Sequence, residues 1–88
     1  MNPDIKYQAV KRLSKECITL RLLQQGEGLI VERESVQADG SSQTQALPIF
    51  CLAGARFFME ADPYYLDLKQ AYGQIYERVQ RHFQARES

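Results

Sequence analysis

The chain has 88 residues, 44% of them hydrophobic with four Phe and five Tyr, and its 11 basic and 11 acidic side chains cancel. That length gives one domain over residues 1–88, and that apolar content excludes disorder of the whole chain. Zero net charge excludes a strongly basic nucleic-acid binder and a polyanionic mimic.

The charge is unevenly placed. Residues 1–25 hold five basic and two acidic side chains, residues 26–67 two and seven, and residues 68–88 four and two. Basic ends and an acidic middle attract each other, within a fold or between subunits.

In chain order, the first segment carries a helix start signal. Asn2 can cap, Pro3 suits the first helical turn, and Asp4 sits at the positive end of the helix dipole. Ile5, Ala9, Val10, Leu13 and Cys17 mark one face, with Lys6, Lys11, Arg12 and Lys15 largely off it. The spacing predicts an N-terminal helix over residues 3–15. The run from Cys17 to Leu23 fits either a continuation of that helix, stopped by Gly26, or a strand with Ile18, Leu20 and Leu22 on one face. The strand is favoured, because Ile18 and Leu22 fall off the helical stripe and Ile18 and Thr19 are β-branched.

Gln25-Gly26-Glu27-Gly28 reads as a turn, Leu29 to Val36 as a strand, and Ala38-Asp39-Gly40-Ser41-Ser42 as a hairpin loop. Leu47 to Leu52 is a further strand candidate, placed at an edge because Pro48 cannot donate to a ladder. Ala55 to Ala61 reads as a short helix. Asp62-Pro63 then restarts the chain in a long helix to about residue 84. Along it Tyr65, Leu68, Tyr72, Ile75 and Val79 recur at steps of three and four, which makes one amphipathic face.

These elements predict a two-layer α+β domain: an N-terminal helix, an antiparallel β-hairpin or three-stranded meander, a short helix and a long C-terminal amphipathic helix. The order of helix, three strands and helix also occurs in double-stranded RNA-binding domains, a likeness of element order alone. The basic, Gly-containing run that opens the last helix of those domains is absent; Asp62-Pro63-Tyr64-Tyr65-Leu66-Asp67 stands there and repels phosphate.

The residue inventory offers little for catalysis. The only histidine is His82, near the end of the last helix. Cys17 and Cys51 lie in apolar surroundings and are expected to be buried, free and inert. Ser41 and Ser42 sit in a loop without a nucleophile motif. Glu32 and Glu34, two apart on a strand, share a face that reads as solvated. There is no spaced His/Cys set for a metal and no Gly-rich phosphate loop, so neither metal nor cofactor is expected. Met1-Asn2-Pro3-Asp4 lacks the basic start of a secretory leader, and no apolar run reaches the length of a membrane span. The expected setting is cytoplasmic, with no membrane partner.

The function expected is therefore non-catalytic binding by an adaptor, chaperone-like or regulatory protein, acting on a protein partner as a homodimer. Leu68, Ile75 and Val79 are assigned to the core. Tyr64, Tyr72, Tyr76 and Phe83 form an aromatic rim for the partner, because Tyr tolerates a wet edge. The alternative is a nucleic-acid-binding regulator using Lys6, Lys11, Arg12 and Lys15 as a basic stripe.

Overall fold

A computed structural model describes residues 3–87. The chain forms β1 (Asp4–Arg12), β2 (Glu16–Gln25), β3 (Gly28–Gln37), β4 (Ser42–Ile49), α1 (Leu52–Glu60) and α2 (Tyr65–Glu87). The four strands make an antiparallel meander in the order β1-β2-β3-β4. This is an α+β fold with a long C-terminal helix, as predicted, but two details are corrected. The N-terminal segment is a strand rather than a helix, and the sheet has four strands rather than two or three. With them goes the shared element order with double-stranded RNA-binding domains. Asn2, expected to cap the helix, lies outside the described residues.

The correction has a physical cause. Ile18, Leu20 and Leu22 alternate on one face of β2, which is the favoured strand reading of that run, and all three are buried. A strand this apolar cannot leave its outer edge unpaired, so residues 4–12 are recruited as its neighbour. Ile5 and Val10 looked like helix-face positions, yet they stay 59% and 57% exposed on the far side of the sheet. Tyr7 and Ala9 turn the other way, opposite Leu22 and Leu20.

The predicted turns hold. Gly26 takes φ +60° as the first residue of a two-residue loop closed by the Gln25–Gly28 pair, the Gly-X order of a type II′ hairpin. In the second hairpin Gly40 takes φ +91°, and the Asp39 carboxylate accepts from the Ser41 backbone at 2.9 Å and from its hydroxyl at 2.7 Å.

Both helices cover one face of the sheet. The core joins Ile18, Leu20, Leu22, Leu29, Val31 and Ile49 from the strands to Ala55, Leu68, Tyr72, Ile75 and Val79 from the helices. Leu68, Ile75 and Val79 are buried as their spacing requires. The shortest principal extent is 16 Å, the depth of one sheet and one helical layer, so among the described residues no third layer covers the opposite face. There, Arg21 donates to Glu32 at 2.7 Å, Glu34 at 3.2 Å and Gln8 at 3.1 Å. Glu32 and Glu34 do share a face, as their spacing implies, but they are tied to an arginine and half-buried. Among the described residues no helix is long and apolar enough to cross a membrane.

Candidate interaction site

The inner face of β3 alternates Leu29, Val31, Arg33 and Ser35, so its second half carries polar groups where the first half carries core. Arg33 meets Asp62 in the turn between the helices: Nε donates to Oδ2 at 2.7 Å and Nη2 to Oδ1 at 3.2 Å. The Asp62 side chain is 1% exposed and that of Arg33 13%. A buried carboxylate is tolerable only when its lone pairs are filled. Here Oδ1 also accepts the Tyr64 backbone N–H at 2.8 Å, and Oδ2 accepts the Tyr72 hydroxyl at 2.5 Å. Burial pushes the Asp62 carboxyl up, but Arg33, Tyr72 and the Tyr64 N–H together hold it below the ordinary carboxylate range. Burial and the neighbouring Asp62 push the Tyr72 phenol above its ordinary range. The N-cap expected of Asp62 is thus real in its bond to Tyr64, although the regular helix begins at Tyr65.

Above this anchor lies a cleft of about 560 Å³, bounded by the ends of β3 and β4 on one side and the α1–α2 corner on the other. Its polar side is Glu16, Ser35 and Gln37. Glu16 Oε2 accepts from the Ser35 hydroxyl at 3.2 Å and from the Gln37 amide at 2.5 Å. The other oxygen of Glu16 has no protein donor among the described residues. Its apolar wall is Phe57, Phe58 and Tyr64. Of the charged residues in the lining, Arg33 neutralises Asp62 and Glu16 is left as an excess negative charge.

The residues expected to form an aromatic rim are dispersed. Tyr72 is 1% exposed and lies in the core, stacked on Tyr65 at 6.2 Å and edge-on to Phe58 at 6.4 Å, so its placement on the rim is corrected. Tyr64 is half-buried at the cleft. Tyr76 is half-buried with the Arg56 guanidinium 5.6 Å from its ring centre, and Phe83 is half-buried against His82 at 5.3 Å. All three pack against the core from different places, Tyr64 from the interhelical turn and Tyr76 and Phe83 from α2.

The expected basic stripe is also broken up, because strand alternation sends neighbours to opposite faces. Lys11 pairs with Ile18 and faces the helix side beside Asp67, while Arg12 pairs with Cys17 on the open side. Lys15 lies in the β1–β2 turn. Lys6 alone joins other cations, sharing a hollow of about 400 Å³ with Arg78 and Arg81. Both cysteines are free, as expected, but not buried: Cys17 is half-buried and Cys51 exposed.

Glu16, Arg33, Ser35 and Phe57 escaped the sequence reading. Period-two alternation already places Arg33 and Ser35 on the face of Leu29 and Val31, which was the available signal. Compared with protein-family models, curated proteins and solved structures, the chain matches none.

Proposed function

We propose that this protein is a small non-catalytic binding module that acts on a protein partner, as a pair of identical chains. The cleft at the α1–α2 corner carries this reading. It sets an aromatic wall against a polar side held together by Glu16, Ser35 and Gln37, and the Arg33–Asp62–Tyr72 network beneath ties β3 to the corner that bounds the cleft. Rigid positioning of this kind lowers the entropy cost of binding. The excess charge on Glu16 beside Phe57 and Tyr64 suits a segment that presents a lysine or arginine side chain, which can pair with the carboxylate and lie over an aromatic ring. Nothing in the cleft joins a nucleophile to a strong base. Ser35 donates to a carboxylate, and His82 is in another hollow, hydrogen-bonded to the Glu27 carbonyl at 3.1 Å.

A photo-crosslinking residue at Gln43, on the cleft lip, tests the reading in the native host. The expected result is a discrete adduct with a second protein, reduced by Glu16→Gln. Adducts no stronger than those from Gln74, on the exposed side of α2, defeat it.

Nucleic-acid binding remains the rival, and one observation favours it. Lys6, Arg78 and Arg81 converge from the two basic ends of the chain, and no carboxylate lines their hollow. Phosphate binding there must strengthen as salt falls. Lack of any affinity for RNA or DNA at low salt removes this reading.

A further inference from the structure

The sheet has two edges of opposite chemistry. β1 carries Asp4, Lys6, Lys11 and Arg12, and its register slips between Ile5 and Tyr7. Charges and register irregularities are the usual protection against edge-to-edge pairing. β4 has neither. Ser42-Gln43-Thr44-Gln45-Ala46-Leu47 holds no charge, and its register with β3 runs unbroken from Val36–Ser42 to Leu29–Ile49. Residues 42–46 are all exposed, and the one protective residue, Pro48, comes only near the strand's end.

A second observation falls on the same edge. The two exposed phenylalanines among the described residues flank β4. Phe50, 84% exposed, follows the strand directly; Phe57, 73% exposed, stands on α1 across the cleft from Gln43 and Gln45. Both rings are apolar surface that the fold leaves uncovered beside this one strand.

Charge decides what covers the edge. In a two-fold contact a patch meets a copy of itself, so a patch with net charge repels its copy. β1 fails that condition and β4 meets it. We propose that β4 is a homodimerisation edge. A second copy of this chain pairs with it antiparallel over residues 42–46, centred on Thr44, so that the two sheets become one across a two-fold axis, with Phe57 of each copy drawn into the seam. Five paired residues give a new ladder of about 17 Å. Because α1 lies over the β4 side of the sheet, the two α1 helices face each other across the axis. The proposal rests on the binding reading above, and it names the second chain and its surface.

Sedimentation of the full chain tests it. The expected species has twice the 10.2 kDa chain mass and dissociates on dilution. Thr44→Lys sets like charges side by side at the axis and is expected to weaken self-association about a hundredfold. Thr44→Glu acts alike, and mixing the two variants restores a dimer, a rescue that an unfolded variant cannot give. Ala46→Pro, which removes a donor from the side of β4 turned away from β3, also gives a monomer, with circular dichroism confirming the fold. Three results overturn the proposal: a wild-type monomer at the highest soluble concentration, a dimer indifferent to Thr44→Lys, or an edge that pairs only with an added peptide. A monomer that still crosslinks through Gln43 defeats the dimer and leaves the partner reading standing. A dimer that crosslinks to no other protein supports the dimer and defeats that reading.

Discussion

Tyr72 donates its phenolic hydrogen to Oδ2 of Asp62, ten residues earlier in the chain, and the same oxygen takes the Arg33 Nε hydrogen at 2.7 Å. One carboxylate thus ties β3, the interhelical turn and the middle of α2. Removing it leaves Arg33 as a buried cation with no counter-ion. Asp62→Ala is expected to destabilise the fold by about 3–5 kcal/mol, the cost of breaking a buried pair on one side. Tyr72→Phe removes only one of four donors to the carboxylate, and about 1.5–3 kcal/mol is expected for a bond to a charged group. Urea denaturation measures both. An Asp62→Ala loss no larger than that of Tyr72→Phe contradicts the ion pair's leading role.

The same pair sets opposite limits on pH. The folded Asp62 carboxyl titrates below its unfolded value, so its contribution is complete above about pH 4 and drains away as the pH falls further. The folded Tyr72 phenol titrates above its unfolded value, so its contribution is complete below about pH 10 and is lost as the pH rises beyond it. Thermal melts across pH are expected to show an acid limb and an alkaline limb. Tyr72→Phe removes the Tyr72 part of the alkaline limb while the acid limb persists. An unchanged alkaline limb in Tyr72→Phe assigns that titration to other groups.

Arg21 and Arg33 offer a second comparison, between the same residue type on the two faces of the sheet. Arg21 binds two carboxylates, Glu32 and Glu34, yet its side chain is 25% exposed. Arg33 binds one and is nearly enclosed. Solvent screens the first network, so Arg21→Ala is expected to cost no more than about 1 kcal/mol. Arg33→Ala strands the Asp62 charge and is expected to cost about 3–5 kcal/mol. Added salt weakens the Arg21 contribution and leaves that of Arg33 largely intact. Equal losses for the two variants refute the ranking by burial.

What the sequence showed, and what it hid, divides along local and non-local causes. Asp62-Pro63 and the recurrence of Leu68, Ile75 and Val79 are local signals, and α2 with its buried face follows from them. The Gly26 and Asp39-Gly40 turns are equally local. β1 is not. Ile5, Ala9, Val10 and Leu13 fit a helical stripe, and what overrides it is the need of β2 for a neighbour, a tertiary cause. The first half of β4 offers only Ser, Gln and Thr; it is a strand because β3 holds it. Half of the cleft was legible as well, since alternation puts Arg33 and Ser35 on the inner face. The partner of Arg33, 29 residues away in a turn, was not.

Phe57 and Phe58 are neighbours in α1 with opposite surroundings, and this separates folding from binding in one experiment. Phe58 packs against the core and meets Tyr72 edge-on at 6.4 Å. Phe57 is 73% exposed beside β4. Phe58→Ala removes buried area and an aromatic contact, and it is expected to cost about 2–3 kcal/mol of folding stability. Phe57→Ser removes a ring that folding barely buries, so stability is expected to change by no more than about 0.5 kcal/mol. Its expected effect is on the proposed β4 pairing: sedimentation of Phe57→Ser is expected to shift toward monomer relative to the wild type. Chemical denaturation, extrapolated to the monomer, and sedimentation of the same two variants therefore give a crossed pattern. If Phe57→Ser proves as destabilising as Phe58→Ala, the ring belongs to the fold, and β4 loses one of its two flanking aromatics as an argument for pairing.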